Sequence, residues 1–158
     1  GGGKSLALAA RGAKVTAWDA TPARMRDLPA RAARAGASID IAPALPSGQF
    51  DLVVADVPCS GSGTWRRTPD AKWRLTTADL EQFVAVQAGI LDTAAARVAP
   101  GGRLAYMTCS LFAAENSGQI DAFLQRNRRF ARKGQRTLTP LDASDGFFVA
   151  ELSSLMPA

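Results

Sequence analysis

Two cysteines in a chain without histidine are the natural starting point for its chemistry. With no imidazole, neither a Ser-His-Asp nor a Cys-His couple can be assembled. Two thiols alone also fall short of the four ligands of a structural zinc site, so no metal is expected. Cys59 stands in Asp56-Val57-Pro58-Cys59-Ser60-Gly61-Ser62-Gly63-Thr64, and Cys109 in Thr108-Cys109-Ser110. Each follows a short apolar run and is flanked by small polar residues. That pattern fits thiols presented at strand ends, with the Asp56 carboxylate beside them, better than inert buried cysteine. A disulfide pair suits a small secreted protein better than a domain of 158 residues.

Two further segments carry binding chemistry. Gly1-Gly2-Gly3-Lys4-Ser5 runs into an apolar helical stretch. Glycines there let the backbone approach a ligand, and a helix amino end favours anionic groups. The segment reads either as the end of a phosphate-binding loop, Gly-Lys-Ser, or as a methyltransferase cofactor loop. Asp51-Leu52-Val53-Val54-Ala55-Asp56 imitates the magnesium-binding strand of a nucleotide hydrolase, so both readings stay open on these two segments. Asp19, about fifteen residues on, is placed to accept hydrogen bonds from ribose hydroxyls, unless it caps a helix.

The elements that must position these groups alternate between apolar runs and helical periodicity, which predicts an α/β domain with a largely parallel sheet. Strands are expected at 14–18, 38–41, 51–56, 103–108 and 147–152. Helices are expected from Pro22 to about Ala35, from about Ala78 to Val98, and from Glu115 to Gln125. Thr76 and Asp79 form a capping-box signature for the second, and Pro100-Gly101-Gly102 a stop. Its apolar face is expected to include Leu80, Phe83, Val84, Val86, Ile90, Leu91 and Ala94. Ligands of an open parallel sheet bind at the carboxyl ends of its strands, where Asp19, Asp56 to Thr64, and Thr108 to Ser110 all fall. No repeat, linker or low-complexity tract appears, so 1–158 reads as one domain.

Nineteen Lys and Arg against fourteen Asp and Glu give a net charge of +5. The excess is arginine, clustered at Arg24, Arg26, Arg31 and Arg34, at Arg66 and Arg67, and at Arg126, Arg128, Arg129, Arg132 and Lys133. Such an excess draws phosphate backbones, though solvated helix faces look the same. Hydrophobic content of 47% argues against disorder, and no apolar stretch is long enough for a membrane span.

Taken together, these motifs resemble the NOL/NOP/Sun family of RNA cytosine-5 methyltransferases, most closely its bacterial Sun/Fmu (RsmB-type) members. Asp56 to Thr64 is similar to the family's DAPCSGTGT. Arg67-Thr68-Pro69-Asp70 with Lys72-Trp73-Arg74 is similar to its R-x-PD-x-KWR segment. Pro100 to Ser110 is similar to its PGGxLVYSTCS strand, with Glu115-Asn116 following, and Asp145-Gly146-Phe147-Phe148 to its DGFF. The resemblance implies a Rossmann-like class I methyltransferase sheet, mostly parallel with an antiparallel C-terminal strand. The family's first strand and amino-terminal RNA-binding domain are expected to lie outside this chain. It implies S-adenosylmethionine as cofactor, held by Gly1, Gly2, Gly3, Lys4, Asp19, Asp56 and Pro58. It further implies Cys109 as nucleophile toward cytosine carbon-6, Asp56 at the ring nitrogen, and Cys59 in proton removal or enzyme release. RNA, of the ribosomal small subunit by resemblance, is the implied partner, with Arg66, Arg67 and Lys72 at its phosphates. A cytoplasmic, monomeric enzyme away from membranes is the expectation. In the family an acidic residue follows the strand at 38–41; here the sequence reads Ile41-Ala42-Pro43-Ala44, so that contact is either missing or replaced by Asp40. A phosphate-loop nucleotide-binding protein and a non-catalytic RNA-binding module of the same fold are the alternatives.

Overall fold

The computed structural model describes residues 2–142 and 144–156. They form two compact units, Gly1–Gly48 and Gln49–Ala158. In the first, α1 (Gly3–Ala9) precedes β1 (Val15–Ala17), and α2 (Leu28–Arg34) precedes β2 (Ile39–Ile41). The two strands pair in parallel from Val15↔Ile39 to Ala17↔Ile41, a pairing that requires the intervening crossover. Leu28 and Ala32 of α2 and Ala17 of β1 are buried.

The helix expected from Pro22 to Ala35 is broken. A 3-10 turn covers Pro22–Met25, and α2 begins only at Leu28. Pro29 is the cause. Inside a continuous helix its ring would strike the carbonyl four residues back and no N–H would be donated, whereas the first turn of a helix accepts it.

The second unit holds a four-stranded sheet in the order β3-β4-β6-β5. β3 (Phe50–Asp56) runs parallel to β4 (Val98–Thr108). Around it lie α3 (Ala71–Arg74), α4 (Thr77–Ala95) and α5 (Ser117–Arg126). β5 (Phe130–Leu138) and β4 both pair antiparallel with β6 (Phe147–Ser154). Mixed sheet and covering helices agree with the expected α/β class.

Alternate residues of β4 (Leu104, Tyr106) and β6 (Phe148, Ala150, Leu152) are buried with Leu91, Ala94 and Ala95 of α4 and Ile120 and Phe123 of α5. This is the period-two pattern of a sheet with one face covered. The Thr76–Asp79 capping box closes reciprocally at the start of α4: Asp79 N donates to Thr76 Oγ1 at 3.2 Å and Thr76 N to Asp79 Oδ2 at 2.9 Å.

Several expectations change. The Val-rich run of β3 suits a buried strand, yet β3 lies at the edge of its four-stranded sheet and Leu52 is 42% exposed. Val86 is exposed, while polar Gln87 is the fully buried residue of α4's middle turns. Pro100-Gly101-Gly102 does not stop α4, which ends at Ala95. Instead it lies inside β4, where the register shifts between Phe50↔Val98 and Leu52↔Arg103. β5 was not anticipated at all. Its sequence FARKGQRTL buries Phe130 alone, and a charged edge strand lacks the apolar alternation that announces a strand while discouraging further pairing.

Candidate active site

Because β3 and β4 are parallel neighbours paired up to Asp56↔Met107, their following loops emerge at the same edge of the sheet. Val57 N continues the ladder to Met107 O at 3.2 Å, and Gly63 N donates to Cys109 O at 2.9 Å. The consequence is a pair of thiols, Cys59 Sγ and Cys109 Sγ, 3.4 Å apart and both part-buried. That separation is a hydrogen bond between sulfurs; no disulfide joins them. The contact with Cys109, and then burial, push the Cys59 thiol far above its ordinary value, so Cys59 keeps its proton at neutral pH. Asp56 ends β3 with its carboxylate exposed.

Beneath the thiols lies a polar core that the strand loops share. Glu115, fully buried in a 3-10 turn at Ala113–Glu115, accepts at Oε1 from Ser60 N (2.8 Å) and Gln87 Nε2 (2.9 Å). At Oε2 it accepts from Ser60 Oγ and Ser110 Oγ, each at 2.5 Å. Gln87 Nε2 also donates to Pro58 O at 2.9 Å. Ser62 Oγ accepts from Leu111 N at 2.8 Å, and Thr108 Oγ1 donates to Asn116 Oδ1 at 2.6 Å. A buried carboxylate is costly unless its acceptor sites are filled; here four donors fill them.

A third loop joins this edge through β6. Gly146 N donates to Gly63 O at 2.8 Å, and a Cβ on Gly63 would stand 2.2 Å from Gly146 O. The two backbones touch because neither residue carries a side chain. Asp145, its side chain 1% exposed, accepts from Arg66 Nε at 2.5 Å and pairs with Arg67. Both arginines stay 65% exposed, so each is tied to the protein while facing solvent.

The remaining sequence-predicted residues are placed as follows. Gly1 lies outside the described residues. Gly2 caps α1 in the left-handed conformation, φ 83°, and a Cβ on Gly3 would meet no atom within 4 Å. Lys4 is exposed. Asp19 Oδ1 accepts from Thr21 N at 2.7 Å, forming a turn that leads into the 3-10 segment at Pro22; its carboxylate remains part-exposed. Pro58 is exposed beside Cys59. Lys72, on α3, lies with Nζ 5.2 Å from the Trp73 ring centre, and Trp73 is 82% exposed. Among the described residues no group of three or more His, Cys, Asp or Glu is placed to hold a metal ion. No described helix is long and apolar enough to cross a membrane.

The sequence pattern of the 16S rRNA methyltransferase RsmB/F family matches residues 2–153. The chain belongs to this family. It is 45% identical over 112 residues to ribosomal RNA small subunit methyltransferase B of Salmonella arizonae, an alignment covering 66% of this chain and 26% of that protein. The chain thus spans about a quarter of the length of that relative. Among solved structures, PH0851 is 30% identical with a TM-score of 0.81, over 88% of this chain and 36% of that one. NSun6 from Pyrococcus horikoshii, solved with SFG, superposes with a TM-score of 0.87 at 20% identity, over 99% of this chain and 46% of that one. At that identity the likeness shows the fold. The phosphate-loop reading of the glycine segment finds no support in these RsmB/F and methyltransferase matches.

Within this RsmB/F domain, sequence reasoning missed Gln87 and Gln119, and took Glu115 for the start of a helix. A signal was present. Gln87 falls between Phe83 and Leu91 at four-residue spacing, on the apolar stripe of α4, where a polar side chain must have a buried partner. Gln119 holds it in turn: its Nε2 stands 3.4 Å from Gln87 Oε1 and bonds Val84 O.

Proposed function

We propose that this domain methylates carbon-5 of a cytosine in RNA, of the ribosomal small subunit by family membership, through a covalent bond between Cys109 and carbon-6 of the base. The observation that carries this reading is the thiol pair: two sulfurs 3.4 Å apart at the ends of adjacent parallel strands. Cytosine carbon-5 is a poor nucleophile. A thiolate adding at carbon-6 forms a C–S bond, breaks the 5,6 double bond and moves electron density toward carbon-5 and the ring nitrogen. Cys109 supplies that thiolate, and Asp56 hydrogen-bonds the ring nitrogen and helps protonate it as charge develops. The resemblance of Thr108-Cys109-Ser110 to the family's TCS motif is what assigns the first attack to Cys109 rather than Cys59.

S-adenosylmethionine, when bound, supplies the electrophilic methyl group. In the first unit Gly2 and Gly3 offer backbone without side chains, Asp19 a part-exposed carboxylate suited to ribose hydroxyls, and Lys4 an exposed side chain; in the second, Asp56 and Pro58 are exposed next to Cys59. After transfer, the carbon-5 proton must leave and the C–S bond must break as the double bond re-forms. The carbon-5 proton passes to solvent water, and Cys59, in contact with Cys109, gives its proton to the departing Cys109 sulfur and regains one from solvent. Arg66 and Arg67, positioned by Asp145, and Lys72 beside Trp73 contact RNA phosphates.

The test is methyl transfer to ribosomal RNA, with adducts resolved under denaturing conditions. Cys109→Ala is expected to abolish both turnover and adduct, and retained turnover refutes the assignment. Cys59→Ala is expected to let the adduct form and accumulate; an adduct that never forms shows the thiols assigned the wrong way round. Thermal stabilisation by ATP exceeding that by S-adenosylmethionine would favour a nucleotide-binding protein instead.

A further inference from the structure

We propose that Glu115 is a positioning residue: its buried carboxylate sets the spacing of the two thiols by binding the residue that follows each of them. The inference rests on the reading of Cys59 and Cys109 as the reacting pair. Ser60 follows Cys59 and gives Glu115 both its N–H and its hydroxyl, at 2.8 and 2.5 Å; Ser110 follows Cys109 and gives its hydroxyl at 2.5 Å. The residue before Cys59 is tied as well, since Gln87 Nε2 bridges Pro58 O and Glu115 Oε1. Cys59 is therefore bracketed on both sides by bonds that converge on one carboxylate. Glu115 itself is anchored through its backbone, whose carbonyl accepts from Tyr106 OH at 2.6 Å, and the neighbouring Asn116 Nδ2 donates to Ser110 O at 2.8 Å.

Only a carboxylate of this length serves. Both oxygens accept twice, which is the capacity of an ionised carboxyl group and beyond that of an amide. In Glu115→Gln an NH2 would face Ser60 Oγ and Ser110 Oγ, which would have to accept. Ser110 Oγ already accepts from Phe112 N at 3.0 Å and Ser60 Oγ from Ser62 N at 3.4 Å, so each would give its second lone pair to the amide and lose Glu115 as the acceptor for its own hydrogen. Aspartate would fall one methylene short. Either change leaves the loops present but loosens the sulfur–sulfur spacing, and displacements of this kind are costly to a reaction that depends on placed groups.

The measurement reads spacing without substrate. The full chain is equilibrated with reduced and oxidised glutathione, and formation of the Cys59–Cys109 disulfide is followed by the loss of two hydrogens in mass. Each disulfide formed reduces one oxidised glutathione to two thiols, so the equilibrium constant is the effective concentration of one cysteine at the other. Glu115→Gln and Ser110→Ala are each expected to lower it about tenfold or more while near-ultraviolet dichroism shows the chain folded. Glu115→Asp is expected not to restore it. An effective concentration within twofold of wild type in the folded variants overturns the proposal. If Glu115→Gln does not fold, Ser110→Ala and Ser60→Ala, each removing one arm, decide in the same way. In methyl-transfer assays the loss is expected in kcat, with KM for RNA nearly unchanged. An RNA adduct absent from wild type, with the thiol pairing still dependent on Glu115, would sink the cytosine reading and leave the positioning role standing. Adduct formation with pairing independent of Glu115 would do the reverse.

Discussion

Around Cys59 and Cys109 the hydrogen bonds join residues far apart in the chain: Ser60 to Glu115 across 55 positions, Ser60 to Ser110 across 50, Gln87 to Pro58 across 29. Around Asp19 the bond to Thr21 spans two, and the strands that frame it are three residues each. The thiol loops therefore exist as a geometry only once their unit has folded, whereas the turn at Asp19 is written into adjacent residues. Chemistry that needs two sulfurs at fixed separation demands the first kind of construction, because a rigid, mutually bonded network holds reacting groups to a fraction of an ångström. The Asp19 carboxylate, bonded within its own turn, needs only the second.

The sharpest way to break this contrast is Gly63→Ala. Its Cβ would meet backbone, 2.2 Å from Gly146 O and 2.6 Å from Gly146 Cα, and backbone locked by the Gly146 N to Gly63 O bond has no rotamer through which to yield. Overpacking of this kind is expected to cost about 3 kcal/mol, read as a fall in the urea midpoint of the chain. A cost below about 0.5 kcal/mol, the range of an ordinary surface change, would mean the loops are not held together as described.

How much of this could be read beforehand follows the same division. Strands with apolar runs, the Thr76–Asp79 cap and the strand-end placement of Asp19, Asp56, Cys59 and Cys109 are local patterns, and they were legible. The 3.4 Å sulfur contact, the four donors on Glu115 and the Asp145 pairing with Arg66 and Arg67 depend on which strands become neighbours, which periodicity alone does not state. The resemblance to a methyltransferase family supplied names for the motifs without explaining why Glu115 belongs among them. β5 escaped notice for another reason: an exposed edge strand of charged residues carries no burial pattern to detect.

A second, smaller effect is expected from Tyr106→Phe. Tyr106 is fully buried and donates to Glu115 O at 2.6 Å, so its removal leaves a buried carbonyl without that donor, at about 2 kcal/mol. Burial first, and then the nearby Glu115 and Cys59, push the Tyr106 hydroxyl above its ordinary value of 10.0. A group raised on folding holds its proton in the folded chain after the unfolded chain has lost it. Its contribution is therefore complete below about pH 10 and declines as the pH rises beyond it. Wild type should exceed the variant in urea midpoint by most at about pH 8 and by less at about pH 10.5. A gap that stays constant between those values would show that the hydroxyl does not titrate with folding.

Gly2→Ala is expected to cost least, and it sharpens the comparison because its clash looks similar on distance alone. A Cβ there would stand 2.4 Å from Leu28 Cδ1, nearly as close as the contact at Gly63. The obstacle, however, is the side chain of buried Leu28, which can shift its rotamer where hydrogen-bonded backbone cannot. What remains is the left-handed backbone at φ 83°, a conformation that costs an alanine about 1–2 kcal/mol. The loss in stability should accordingly be about 1 kcal/mol, well under that of Gly63→Ala, despite distances that differ by only 0.2 Å (2.4 against 2.2 Å). Equal losses at the two glycines would mean that the turn at Gly2 is held as rigidly as the thiol loops, and the distinction between a locally built and a cooperatively built region would fail. A larger loss in affinity for S-adenosylmethionine than in stability would instead place the close backbone approach of Gly2 at the ligand, where a side chain obstructs binding more than folding.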